Sequence, residues 1–135
     1  TNSYSRLQLL GRALQNLKVI PELRTAYITL SQAELDKFKF KKGDTEGFVN
    51  YALSLKGIIF AVIFIESKQD DIIKISLRSK GEFSVNEFSR THFHGGGHTN
   101  AAGGRSETDI PSTIDKFISI LPQYKEELSQ DHNAD

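Results

Sequence analysis

The chain has 135 residues, 38% of them hydrophobic and 25% charged, the size and make-up of one folded domain with its own core. Seventeen basic and seventeen acidic residues cancel, so no overall field draws in nucleic acid and any anion site has to be local. The absence of cysteine excludes disulfides, thiolate metal sites and cysteine nucleophiles, and it fits a cytoplasmic protein. The longest apolar run, Gly57 to Ile65, is too short to span a bilayer, and no membrane association is expected. The chain has no methionine and begins at Thr1, so it reads as a piece of a longer protein.

Leu7, Leu10, Leu14 and Leu17 recur at helical spacing, which predicts an amphipathic helix over about Tyr4 to Lys18, stopped by Pro21. Residues 1–20 are therefore read either as a connector to a further domain or as a first helix packed on this one. Arg24 to Leu30 alternates as a strand does, and Ser31-Gln32-Ala33-Glu34 has the capping-box pattern of a helix start. Lys37, Lys39, Lys41 and Lys42, with Phe38 and Phe40 between them, form a basic run. Such a run can track single-stranded nucleic acid, although a solvated helix end and turn accounts for it more simply. Asp44 or Thr45 is expected to cap a second helix reaching about Leu55, with Gly57 ending it.

Ile58 to Ile65 is apolar almost throughout and predicts a strand covered on both faces. After a turn at Gln69-Asp70-Asp71, Ile73, Ile75 and Leu77 alternate with Lys74, Ser76 and Arg78, predicting an antiparallel partner strand. Ser84 can cap a helix carrying Val85 and Phe88. Pro111 to Leu128 predicts a terminal helix with Ile114, Phe117, Ile118 and Leu121 on one face, kinked or broken at Pro122. Residues 129–135 are expected to form a frayed tail. The sum is one α/β domain over residues 21–128, with a mixed sheet of four or five strands flanked by helices.

Two segments could carry chemistry. In His94-Gly95-Gly96-Gly97-His98-Thr99-Asn100-Ala101-Ala102-Gly103-Gly104 the three consecutive glycines tolerate positive φ, and their amides can converge on an anion where a helix begins just after. His98, Thr99 and Asn100 would add side-chain donors, and the paired alanines permit close approach. The bland alternative is a slack glycine loop. The second segment is Ser76 to Gly81, at the end of a predicted strand. There Arg78 offers a planar fork suited to phosphate, with Ser79 and Lys80 as further donors. Taken alone, this is a solvated strand end.

Together, Ser76-Leu77-Arg78-Ser79 and, some twenty residues on, Gly95-Gly96-Gly97-His98-Thr99-Asn100-Ala101-Ala102-Gly103 resemble the DHHA1 domain, the C-terminal half of the DHH phosphoesterases. The resemblance is nearest to the bacterial oligoribonuclease/pAp-phosphatase proteins, also labelled exopolyphosphatase-related. Thr45 to Tyr51 is similar as well, and the likeness runs from about Arg24 to Leu121. His94 departs from it, because relatives often have a fourth glycine there.

The resemblance implies a two-domain phosphoesterase. A DHH domain would hold Mn2+, while the DHHA1 domain faces it across a cleft and grips the phosphates and terminal nucleotide of the substrate. Arg78 and Ser79 would bind phosphate, and the Gly95 to Gly97 amides with His98 would complete the clamp, His98 also stabilising charge near the scissile phosphate. The substrate would be a nucleotide or a short single-stranded RNA or DNA, with pAp, cyclic-dinucleotide products and polyphosphate as variants.

No Asp-x-Asp or Asp-His-His segment is present to hold two metal ions, and Asp131-His132-Asn133 in the tail is only an echo of one. His92, His94 and His98 lack an adjacent carboxylate and a standard ligand spacing, so no metal is assigned to this chain. There is no Gly-x-Ser-x-Gly elbow, P-loop or dinucleotide fingerprint. The expected catalytic set within the chain is therefore empty, and the chain alone is expected not to cut. Two alternatives stay open. One is a nucleic-acid-binding module without hydrolysis, as the DHHA1 segment of alanyl-tRNA synthetases suggests. The other is an interaction domain whose first helix docks a partner or a second copy in a homodimer.

Overall fold

The computed structural model describes residues 1–130 and His132. Of the Asp131-His132-Asn133 echo, Asp131 and Asn133 lie outside the described residues, as do Ala134 and Asp135 of the expected tail.

The first helix, α1, spans Tyr4–Gln15, with the Ser3 hydroxyl accepting the Arg6 amide as its cap. It ends well before Pro21. Asn16 closes it, and the Asn16 carboxamide donates to the Thr29 carbonyl and the Glu34 carboxylate, both at 2.8 Å. Its buried face is Leu9, Leu10 and Ala13, whereas Leu7 and Leu14 of the expected stripe are about half exposed. Pro21 instead opens a short 3-10 turn after a three-residue strand, β1 (Lys18–Ile20).

The β2 strand (Thr25–Leu30) runs into α2 (Gln32–Lys37) through a complete capping box. The Ser31 hydroxyl takes the Glu34 amide, and the Glu34 carboxylate takes the Ser31 amide. The next helix, α3 (Phe48–Leu53), starts from Gly47 in a left-handed conformation with no side-chain cap, so neither Asp44 nor Thr45 serves. Asp44 closes the preceding turn on the Lys41 amide instead.

The apolar run forms β3 (Phe60–Ser67), whose first five residues are buried, and β4 (Ile72–Ser79) returns antiparallel to it. Ser84 caps α4 (Val85–His92) as expected. The glycine segment holds no helix start at His98 to Asn100. It is a hairpin of β5 (Gly96–Gly97) and β6 (Ala101–Ser106). The terminal helix divides into α5 (Ile110–Ile120), a 3-10 turn at Pro122, and α6 (Lys125–Leu128). On α5 the core face is Thr113, Phe117 and Ile120, while Ile118 is exposed.

One mixed sheet of six strands results, in the order β1-β2-β3-β4-β6-β5, with only β2 and β3 parallel. The count is close to the expected four or five; β2, β3 and β4 are the strands read from the sequence, and β1, β5 and β6 join them through pairing. Side chains alternating along β3 feed two separate cores. Phe60, Val62 and Phe64 join Leu77, Phe88 and Phe117 on one face, and Ala61 and Ile63 join Leu9, Ile28 and Phe48 on the other. The first core is largely aromatic, with Phe60 in ring contact with Phe83, Phe88 and Phe117. Among the described residues no helix is long and apolar enough to cross a membrane.

Of the residues after α6, Gln130 and His132 are tied down. Arg24, at φ 50°, donates to the carbonyls of Gly57, Leu128 and Gln130. His132 is buried, with Nδ1 accepting the Glu82 amide at 3.3 Å and Nε2 donating to the Glu127 carbonyl at 2.8 Å. A Cβ on Gly81 would lie 2.6 Å from that imidazole, so the glycine is what lets the ring lie against the loop after β4.

Candidate phosphate-binding site

Arg78 and the glycine hairpin meet because β4 pairs directly with β6. Arg78 stands opposite Ala101, and Leu77 opposite Ala102. Leu77 goes into the aromatic core, so the alternation of β4 puts Arg78 on the other face, where it is half-buried. One guanidinium nitrogen of Arg78, Nη1, donates to its neighbour's carbonyl on Leu77 at 2.9 Å and, at a longer 3.4 Å, to the Ala102 carbonyl across the strand gap. No protein partner takes the Nε or Nη2 protons among the described residues, so the fork is anchored at one corner and open at the rest.

From Gly97 the chain turns at His98 to Ala101, closed by the His98 amide on the Ala101 carbonyl at 2.7 Å. His98 and Thr99 are exposed, and neither side chain has a hydrogen-bond partner among the described residues. Lys80 follows on the loop after β4, its amide on the Ile59 carbonyl at 2.9 Å. The backbones of Arg78, Lys80, His98 and Thr99 thus lie at one end of the sheet, the rim where β3 begins.

Three sequence expectations take a different form here. Ser79 is 5% exposed, and its hydroxyl is fully engaged. It donates to the Phe83 carbonyl at 2.6 Å, with the Thr99 carbonyl at 3.2 Å as alternative acceptor, and takes a hydrogen bond from the Asn100 carboxamide at 3.0 Å. Asn100 spends its second amide hydrogen on the Gly81 carbonyl, also at 3.0 Å. Both side chains therefore clasp the loop after β4 to the hairpin turn, and an added phosphate would find neither free.

The glycine amides do not form an open anion nest either. Gly95 donates to the Ser89 carbonyl and Gly97 to the Asn86 carboxamide. What the glycines provide is closeness. A Cβ on Gly95 would sit 1.9 Å from the Gly103 carbonyl oxygen, and one on Gly104 would sit 2.5 Å from the Ser89 hydroxyl. His94, in place of a further glycine, adopts a left-handed φ of 55° and is exposed.

The remaining candidates lie elsewhere. His92 is bonded through Nε2 to the Tyr124 hydroxyl at 2.7 Å, with its ring against Phe88. Burial, then the Lys116 ammonium, pushes its pKa down, which favours the neutral ring. Among the described residues no three histidine or carboxylate side chains come together to hold a metal ion. The lysine run follows α2, at the end of the sheet opposite Arg78, because β2 and β3 run parallel away from that end. None of its four lysines is in a salt bridge among the described residues; Lys37 and Arg12 both lie against the Phe38 ring.

Residues 24–127, which contain the whole of this rim, match the DHHA1 domain. The chain belongs to the DHHA1 family. This DHHA1 domain is similar to an exopolyphosphatase-related protein from Bacteroides fragilis, at 42% identity and a TM-score of 0.92 over 96% of this chain and 38% of that one. It also superposes on PggH, a pGpG-specific phosphodiesterase from Vibrio cholerae, at a TM-score of 0.63 and 15% identity over 90% of this chain and 39% of that one. The second likeness is one of fold alone. The DHHA1 chain therefore spans well under half the length of either protein. No curated protein matches its sequence.

Proposed function

We propose that this domain binds the phosphates and terminal nucleotide of a short nucleic-acid substrate such as pAp or a dinucleotide, on behalf of a phosphoesterase whose hydrolytic, Mn2+-holding DHH domain lies outside this chain. The observation that carries the reading is the pairing of Arg78 with Ala101, which brings a guanidinium bonded at one nitrogen to the end of the sheet that also holds the exposed side chains of His98 and Thr99. These are donors of the kind a phosphate recruits, with Arg able to bind two oxygens at once. Lys80 adds positive charge to the same rim. Ser79, Asn100 and the glycines Gly95, Gly96 and Gly97 hold that rim in shape. The kinship with an exopolyphosphatase-related protein and the fold shared with a pGpG phosphodiesterase point the same way.

The test is calorimetric titration of the chain with pAp. Arg78→Ala and His98→Ala are each expected to weaken binding, the arginine by about 1.5–3 kcal/mol, as for loss of one charged hydrogen-bonding partner. The purified chain with Mn2+ is expected to leave pAp and short RNA intact. Equal affinity in both variants, or turnover by the chain alone, would overturn the reading.

The lysine run supports a second reading, a module that holds longer single strands, because none of those lysines is in a salt bridge among the described residues and Phe38 and Phe40 stand between them. It requires affinity that rises with strand length and falls steeply with salt.

A further inference from the structure

The turn that presents His98 is held from both sides by one turn of helix. On the entering side, the Gly97 amide donates to Asn86 Oδ1 at 2.8 Å. On the leaving side, the Thr99 carbonyl accepts the Val85 amide at 2.8 Å. Val85 and Asn86 are consecutive, and they open α4, which is fixed by the Ser84 cap and by Val85 and Phe88 in the aromatic core. His98 is thus the residue between two clamps, both fastened to the same rigid element.

Gly96 belongs to this arrangement. At φ 154° it lies in a region that favours glycine, and a Cβ there would stand 2.9 Å from Asn86 Oδ1. The bare glycine leaves the carboxamide the room to reach the next amide. One step further along α4, the Ser89 hydroxyl donates to the Gly103 carbonyl at 2.7 Å, so helix and hairpin are joined at both strands.

We propose that Asn86 is a positioning residue for the phosphate site: its carboxamide sets the backbone of Gly97 and, through it, where the His98 imidazole stands. The inference rests on the functional reading above. A side chain that merely stabilised the hairpin would contribute to melting temperature. One that positions His98 contributes to affinity, since a contact loosened by a fraction of an ångström loses much of its value.

The experiment records amide spectra of wild type, Asn86→Ala and Asn86→Asp, first without ligand and then with added pAp. In Asn86→Ala the Gly97 amide is expected to lose its hydrogen-exchange protection, the His98 resonances to shift, and pAp affinity to drop about fivefold or more, while the melting temperature moves little. Asn86→Asp keeps an acceptor oxygen and is expected to restore the Gly97 protection. Should Asn86→Ala not fold, Gly96→Ala displaces the same carboxamide from the other side and is expected to give the same shifts. Unchanged Gly97 protection in Asn86→Ala, or wild-type affinity despite its loss, would overturn the assignment of Asn86 alone. A wild-type chain whose spectrum ignores pAp would overturn the functional reading, and this inference with it.

Discussion

The Asn100 carboxamide and the Ser79 hydroxyl are hydrogen-bonded at 3.0 Å across twenty-one residues of sequence, and this bond joins the end of β4 to the tip of the β5–β6 hairpin. Ser79 is the more demanding of the pair, because its oxygen serves two carbonyls and one carboxamide in a nearly dry setting. Ser79→Ala would remove the donor to the Phe83 carbonyl and the acceptor for one Asn100 amide hydrogen, and is expected to cost about 1–3 kcal/mol in urea unfolding. Arg78→Ala, at a half-open position, is expected to leave unfolding nearly unchanged while weakening the ligand. A Ser79→Ala variant of full stability would show that the clasp contributes nothing.

The glycines divide into two kinds, and alanine tells them apart. Gly95 and Gly104 are pressed against backbone atoms and the Ser89 hydroxyl, so an added methyl there is expected to destabilise by at least about 1–3 kcal/mol. Gly11 is in mid-helix on α1, with nothing near where a methyl would go. Gly11→Ala is expected to stabilise by roughly 0.5–1 kcal/mol. Thermal melts of the three variants check both signs, and a destabilised Gly11→Ala would contradict the exposed face assigned to that helix.

His92 makes stability depend on pH in a definite direction. Its folded pKa lies below the ordinary histidine value of about 6.5, so below that value the unfolded chain binds the proton more readily than the fold does. The contribution of the neutral ring is complete above pH 6.5 and is lost as pH falls through the lower, folded value. His92→Gln keeps an acceptor for the Tyr124 hydroxyl without titrating. The wild type is expected to lose more stability than His92→Gln between pH 7 and pH 5. Parallel curves for the two proteins would remove His92 as the cause.

Much of the scaffold was legible in the residues because its signals are local. Ile58 to Ile65 announces a strand buried on both faces, the Ile73 to Arg78 alternation fixes its partner, and Ser31 with Glu34 spells out a helix start. The shortest pieces were not legible. Lys18–Ile20 carries no alternation to read, and Gly96–Gly97 has no side chains to pattern, yet tertiary pairing makes both of them strands.

At the site, the sequence located Arg78 and the glycine turn correctly relative to each other, but not the partners of individual donors. Polar residue type does not reveal whether a hydroxyl turns toward solvent or toward a carbonyl. Ser79 and Asn100 therefore read as ligand contacts when their hydrogen bonds are internal. The glycine amides read as free when Ser89 and Asn86, brought in by α4, already take those of Gly95 and Gly97. Asn86 itself gave no signal, since one asparagine in the first turn of a helix is ordinary.

The imidazole of His132 covers Gly81, next to the residue that carries Lys80, and thus forms part of the backing for the rim. A recombinant fragment trimmed at Leu128, where the last regular helix stops, would strip that backing away. It would expose Gly81 and leave the Glu82 amide to water. A shortened protein with poor ligand affinity would then report on the loss of His132, and the phosphate site is judged fairly only in a chain that keeps it.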